Sequence, residues 1–289
     1  MIIFLADGRL GNQLFQYAFL KTLQKENEKI IVSGFEDIKE VFEDSDFTNI
    51  NKRNRWLKFL LFRLLKPVFN FLSDMRVISS VEVIREKVLE KFSRESCAVS
   101  TKKGFLSDIT FVKLGFFQSE SFFDKKKLGD IKIKKEYLSK AAKILSNIPQ
   151  NNHKIFVHIR RGDYKNYKVY GKSTLLPITY YKEQIEWFIC NKENCFFIFV
   201  SDDNSYIEKE FEYIENKILS SSKHFGTDLA IMTKCKSAIL SPSSFGWWGS
   251  YLMKGKDTVF APKYWLGFGS SIDFQSQSVS SYITEIKVK

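Results

Sequence analysis

The feature that most constrains this chain is a repeated punctuation. Short apolar runs, each the length of a strand, end abruptly in polar clusters. "IIFLA" (2–6) runs into "DGRLGNQ", "IFVHI" (155–159) into "RRGDY", "FFIFV" (196–200) into "SDDN", and "AIL" (238–240) into "SPSSFGWW". Continuous apolar runs of this length, bounded by turn formers, read as strands buried on both faces. Helical patterns fall between them at 12–25, 180–190, 206–215, 228–236 and 245–253, with further strands at 30–33 and 258–260. In the first helix Leu14, Phe15 and Ala18 share one side, and Gln13, Lys21 and Gln24 the other. Alternating strands and helices imply an α/β chain with parallel, doubly wound sheets. In such sheets ligands bind outside the carboxyl ends of the strands, which is where the four polar clusters fall.

A chain of 289 residues is long enough for two domains with separate cores. The breaker cluster "SNIPQNN" (146–152) places a boundary there, giving domains 1–150 and 151–289. Residues 34–110 are less readable. Within them "RWLKFLLFRLLKPVFNFL" (55–72) is apolar almost all round, with Arg55, Lys58, Arg63 and Lys66 interspersed. It reads as a core or domain-packing helix, or as an interfacial helix lying on anionic lipid.

The net charge of +12 speaks to partners and not to fold. Nucleic acid, an anionic membrane and phosphate-bearing small molecules all fit, as does plain surface lysine. The basic residues do not gather on an aromatic platform or a known nucleic-acid motif, which argues against nucleic acid. Four cysteines without a C-x-x-C pair, and three histidines, argue against a structural zinc site or a disulfide scaffold. The apolar run at the N-terminus stops at Asp7, too short for a signal peptide core or a membrane span. The expectation is a cytoplasmic protein, peripheral to the inner face of the plasma membrane if residues 55–72 bind lipid.

The polar clusters carry the chemistry. Arg160 and Arg161 follow a strand directly, and a guanidinium is a permanently charged planar fork that matches phosphate oxygens. Asp163 is placed to hold one of them. Ser243 and Ser244 precede a helix starting near Phe245, where they serve as a cap or as part of an anion site at the helix terminus. Two anion-seeking elements suit a diphosphate. Gly8, Gly11 and Asn12 form a strand-to-helix turn that is neither G-x-G-x-x-G nor a P-loop. Asp202 and Asp203 read as a helix cap, a nucleotide contact or metal ligands. "KNYKVYGK" (165–172) reads as a solvated loop of a kind that also grips sugars.

Together "GRLGNQLFQYAF" (8–19), "GFFQSESFF" (115–123), "HIRRGDY" (158–164), "FVSDD" (199–203) and "TDLAIMTKCKSAILSPSSFGWWGSYL" (227–252) resemble the motifs of glycosyltransferase family 11, the α-1,2-fucosyltransferases, in the family's order. The resemblance implies a GT-B-like fold, two Rossmann-like domains with parallel sheets facing across a cleft, the N-terminal one on the acceptor side and the C-terminal one on the GDP-sugar side. It implies GDP-β-L-fucose as donor, the 2-hydroxyl of a terminal galactose as acceptor, inversion to an α-linkage, and no metal or other cofactor. Surface polysaccharide synthesis is the expected setting, with an acceptor on a lipid carrier accounting for residues 55–72. By the same resemblance Arg160 and Arg161 grip the β-phosphate, and His158 belongs to that donor signature. Ser243, Ser244 and Phe245 contact diphosphate and sugar, Asp228 the guanine or ribose, and Asp202 the nucleotide pocket. Gly11 and Asn12 approach the diphosphate or fucose. Asp163 is the candidate general base, and Asp7 a lesser one. The chain departs from the family pattern at Pro242, where Asn is common, at Gly246, where Ser is common, and at Phe116, where Tyr is common. These positions bear on donor-sugar selectivity. The alternatives are a transferase for another nucleotide sugar, with Asp202 and Asp203 on a divalent ion, and a basic nucleic-acid-binding protein.

Overall fold

The computed structural model describes residues 1–50, 55–275 and 279–289. They form two compact units, residues 1–50 and 55–132 with Gln275, and residues 133–274 with 279–289. The first unit contains β1 (Ile2–Leu5), α1 (Leu10–Leu23), β2 (Ile30–Ser33), α2 (Glu36–Val41), β3 (Thr48–Asn49), α3 (Arg55–Asp74), β4 (Ile78–Leu89), β5 (Phe92–Lys102), β6 (Leu106–Val112) and α4 (Lys125–Leu128). Its sheet has the order β3-β2-β1-β6-β4-β5, parallel except for β5.

The second unit contains α5 (Lys135–Leu145), β7 (His153–Ile159), β8 (Lys168–Val169), β9 (Lys172–Ser173), α6 (Ile178–Asn191), β10 (Cys195–Ser201), α7 (Asn204–Glu210), β11 (Lys217–Leu219), α8 (Phe225–Met232), β12 (Ser237–Leu240), α9 (Ser244–Tyr251), β13 (Val259–Pro262) and β14 (Thr284–Ile286). Its main sheet is parallel throughout, in the order β11-β10-β7-β12-β13-β14. Counted along the chain, that is the 3-2-1-4-5-6 order of a doubly wound Rossmann sheet. The order reverses between β7 and β12, so the crevice of this unit lies where these strands end.

Burial explains why these runs became central strands. Phe156, Val157, Ile198, Phe199 and Ile239 are fully buried, each worth about 1.5–3 kcal/mol relative to an exposed side chain. In the first unit the abundant phenylalanines build the core. Phe35 meets Phe4, Tyr17 and Phe47, and Phe19 stacks on Phe117 with ring centroids 4.0 Å apart.

Two findings differ from the sequence reading. The division between units falls at Lys132/Ile133, ahead of the breaker cluster at 146–152. The helix α5, which precedes that cluster, belongs to the second unit, where it packs on α8 and buries Tyr137, Ala141 and Leu145. The unread segment 34–110 contains the long hairpin β4–β5. Beyond Val81, paired with the last residue of β6, this hairpin continues past the sheet edge. Opposite charges pair across it, Arg85 with the buried Glu95 and Glu86 with Arg94, a cross-strand arrangement that stabilises paired strands.

Candidate active site

The chain leaves β7 in a tight turn organised by one carboxylate. Asp202, just past the end of β10, accepts the backbone N–H of Arg161 at 2.9 Å and that of Gly162 at 3.2 Å. It also ion-pairs with Arg160, Nη1 to Oδ2 at 3.1 Å. The Nε of Arg160 donates to Asp163 Oδ1 at 2.8 Å. Two carboxylates thus take two of the five donors of this guanidinium and fix its plane. Arg161 turns the other way. Its Nε donates to Asp203 Oδ2 at 3.1 Å, and its guanidinium lies 3.3 Å from the ring centroid of Tyr206. The adjacent arginines therefore stand in different environments.

The loop after β12 is tied to the same turn. Tyr164 donates its hydroxyl to the carbonyl of Pro242 at 2.8 Å. His158, at the end of β7, is buried, and its Nδ1 lies 2.7 Å from Ser241 Oγ. Burial, helped by nearby Arg160, pushes its pKa down to about 4, so the ring is neutral near pH 7. Gly246, in the first turn of α9, rests on this ring: a Cβ there would meet His158 Nδ1 at 2.8 Å. Ser243 occupies the N-cap of α9, yet its side chain makes no capping bond. The capping reading is thereby replaced by a helix start whose serine hydroxyl is not committed to the cap.

Asp228 sits in the first turn of α8, next to the end of β11. Ser220 Oγ donates to its Oδ1. Burial, opposed by hydroxyl hydrogen bonds and by His224, raises its pKa to about 6. His224 stacks on Tyr137 of α5 with centroids 4.8 Å apart.

Gly11 and Asn12 belong to the first unit, at the start of α1 after β1. Asn12 Oδ1 accepts from Gln118 Nε2 at 2.7 Å, and Gln16 Nε2 donates to the carbonyl of Gly115 at 3.2 Å. Gln13, buried, donates to the carbonyl of Gly8 and accepts from the backbone N–H groups of Asp37 and Ile38. "GRLGNQLFQYAF" and "GFFQSESFF" are therefore two halves of one interlocked structure. Gly8 has φ +92°, and a Cβ there would meet Asn12 Nδ2 at 2.6 Å. Asp7 turns back on this loop, accepting the N–H of Gly8 at 2.8 Å. On the same edge a cavity of about 370 Å³ is lined by Leu5, Phe62, Asn70, Asp74, Phe111 and Lys113, among others. Lys113 bridges Asp74 at 3.1 Å and Glu82 at 3.3 Å across it.

His158, Arg160, Arg161, Asp163, Asp202, Ser243, Ser244 and Phe245 thus lie about the carboxyl ends of β7, β10 and β12, with Asp228 at the end of β11. Among the described residues no group of three or more His, Cys, Asp or Glu is placed to hold a metal ion. The carboxylates of Asp202 and Asp203 are engaged by Arg160, Arg161 and Lys165. Tyr164, Tyr206 and Ser241 were not singled out in the sequence, although they lie within or beside the polar clusters. Glu95 gave no signal at all. It stands on β5, buried, and accepts the N–H groups of Phe116 and Phe117, fixing the loop that carries Gln118.

Comparison with known proteins agrees with this architecture. A family model described as Glycosyl transferase family 11 matches residues 1–269. An O-antigen biosynthesis glycosyltransferase, WbnK of Escherichia coli, is 27% identical, covering 90% of this chain and 93% of its own length. An alpha-1,2-colitosyltransferase of Escherichia coli is 27% identical over 89% of this chain and 90% of its own. The galactoside alpha-(1,2)-fucosyltransferase 2 of Hylobates lar is 22% identical over 90% and 71%. Among solved structures, POFUT1 in complex with GDP-fucose superposes with a TM-score of 0.51 at 12% identity, over 90% of this chain and 97% of that one. At that identity the likeness speaks to fold alone. The fold is GT-B-like, with two Rossmann-like units.

Proposed function

The chain belongs to glycosyltransferase family 11, and from that premise we propose that it transfers L-fucose from GDP-β-L-fucose to the 2-hydroxyl of a terminal galactose, with inversion to an α-1,2 linkage. The observation that carries this reading is the shared edge at the switch point. The Arg160 guanidinium, held by Asp163 and Asp202, leaves β7 beside the β12–α9 loop, and α9 starts at an N-cap whose serine side chain is uncommitted. A fixed cation and a helix N-terminus are both suited to a diphosphate. As the glycosidic bond breaks, positive charge grows on the sugar and negative charge on the departing GDP. Arg160, Ser243 and the first turn of α9 offset the latter. A single preorganised donor of this kind is commonly worth about 2.7–4 kcal/mol in the transition state.

The remaining roles follow from the local geometry. Asp228, poised to ionise near pH 6, accepts the guanine N–H groups as a carboxylate. Arg161 shapes the pocket by packing on Tyr206 and Asp203. His158 holds the β12–α9 loop through Ser241, with Phe245 and Ser244 toward the sugar. Asp202 orders the turn. Asp163 orients Arg160. No step requires a metal. The first unit takes the acceptor, through the cavity beside Lys113, whose aromatic walls and paired charges suit a hydroxyl-rich ligand. The setting is surface polysaccharide synthesis, as the O-antigen relative suggests.

A second reading concerns only the donor sugar. One relative is named a colitosyltransferase, and colitose is fucose without its 3-hydroxyl. Incubating the protein in EDTA with GDP-fucose and a β-galactoside, and assigning the product linkage by NMR, tests the proposal. An α-1,2-fucosylated product supports it. Turnover of GDP-colitose with none of GDP-fucose selects the second reading, and activity only after adding a divalent ion contradicts the metal-free mechanism.

A further inference from the structure

The helix α3 buries one stripe and leaves another bare. Leu65, Phe69 and Leu72 pack against the core of Leu5, Ile78 and Phe111, and Phe69 stacks on Phe111 at 5.2 Å. On the opposite side Trp56, Leu60, Leu64, Val68 and Phe71 recur every three or four residues, and each is more than half exposed, Trp56 by 82%. The surface continues past the helix. The backbone N–H of Phe105 donates to the carbonyl of Arg76 at 2.8 Å, which sets this side chain, 90% exposed, beside the end of α3. An exposed apolar stripe of this extent marks an interaction site, since monomeric proteins seldom leave one open.

Charge identifies the occupant. Arg63 and Arg76 are exposed on or beside the stripe, exposed Lys102 and Lys103 shortly precede Phe105, and Lys66 belongs to the same helix. The one acidic residue of α3, Asp74, is paired with Lys113. A second copy of the chain docking by two-fold symmetry would set these cations against each other. An anionic bilayer satisfies both features at once, because it takes the apolar side chains at its interface and the cations at its head groups. Among the described residues no helix is long and apolar enough to cross a membrane, so the helix lies in the plane of the surface.

We propose that the outer stripe of α3, extended by Phe105 and flanked by Arg63 and Arg76, docks this protein on an anionic lipid bilayer. The proposal stands independently of which sugar is transferred. It is tested by sedimentation with phosphatidylcholine vesicles, with and without phosphatidylglycerol. The full chain should sediment with the anionic vesicles and stay in solution with the neutral ones. Arg63→Gln should weaken binding about fivefold. The Leu64→Ser/Phe71→Ser double variant, with its fold checked by circular dichroism, should weaken it by more than about tenfold. Trp56 gives a readout that needs no destabilising change: vesicle binding should blue-shift emission in the wild type and not in Trp56→Phe. Failure of the wild type to bind anionic vesicles overturns the proposal. So does binding that survives the double substitution, or a dimer in ultracentrifugation that the double variant dissociates while vesicles remain unbound.

Discussion

Asp202 lies 3.1 Å from the Nη1 of Arg160 while also accepting the backbone N–H of Arg161 at 2.9 Å. One carboxylate therefore sets both the path of the chain out of β7 and the direction of its first guanidinium. Asp202→Ala should destabilise the protein by about 1–3 kcal/mol, because charge-assisted bonds are lost at a partly buried site. It should also lower kcat. Unfolding curves and kinetics together check this: an unchanged kcat would mean that the orientation of Arg160 does not matter to transfer.

Asp163 is ion-paired to the same arginine. That bond engages the carboxylate in holding the Arg160 guanidinium. Asp163→Asn should lower kcat and leave the acid limb of the kcat/KM pH profile in place. Disappearance of that limb would instead identify Asp163 as the base.

Gly246 departs from the serine common in its family, and the neighbouring His158 ring leaves no room for a Cβ. Gly246→Ser should push His158 off Ser241 and cost about 1–3 kcal/mol through overpacking. A lowered melting temperature and a raised donor KM are expected, whereas a variant as stable as wild type would show that the ring yields freely.

His158 and Asp228 make opposing contributions to the pH dependence of stability. Between about 4 and 6.5 the unfolded chain holds a proton on His158 that the folded chain refuses, so stability falls as pH drops through this window. For a group this buried the full effect is roughly 3 kcal/mol. Asp228 acts in reverse. Between 3.8 and about 6 the folded chain holds a proton that the unfolded chain lacks, so this contribution is lost as pH rises. The two slopes should largely cancel near pH 5, and Asp228→Asn should uncover the acid loss in urea titrations. The same carboxylate predicts that GDP binding strengthens as pH rises through about 6 in the wild type and stays flat in Asp228→Asn.

In the first unit, Gln13 joins the Gly8 loop to the start of α2 from a buried position. Gln13→Ala leaves those backbone groups without their partner, at about 1–3 kcal/mol. Thermal unfolding should register the loss.

Much of the fold was legible because its central strands are buried on both faces, and continuous apolar runs such as "IFVHI" survive in sequence as a clear signal. The placement of Arg160 and Ser243 at strand ends was legible for the same reason. The β4–β5 hairpin was not, because its outer half is solvated and its charged residues pair across the ribbon and hide the alternation. The family's own motifs did not reveal that Asn12 and Gln16 reach Gln118 and Gly115, since contacts across about a hundred residues leave no local pattern. The separate fates of Arg160 and Arg161 were hidden too. Adjacent side chains leave a turn in different directions, and only the positions of Asp202, Asp203 and Tyr206 decide which goes where.

The most direct test of the central claim is calorimetric titration of GDP-fucose, GDP-mannose and UDP-galactose in EDTA, into the wild type and Arg160→Ala. The account predicts selective binding of GDP-fucose without metal, and its loss in the variant with the fold intact. Preference for UDP-galactose, or undiminished binding of GDP-fucose by Arg160→Ala, would contradict it.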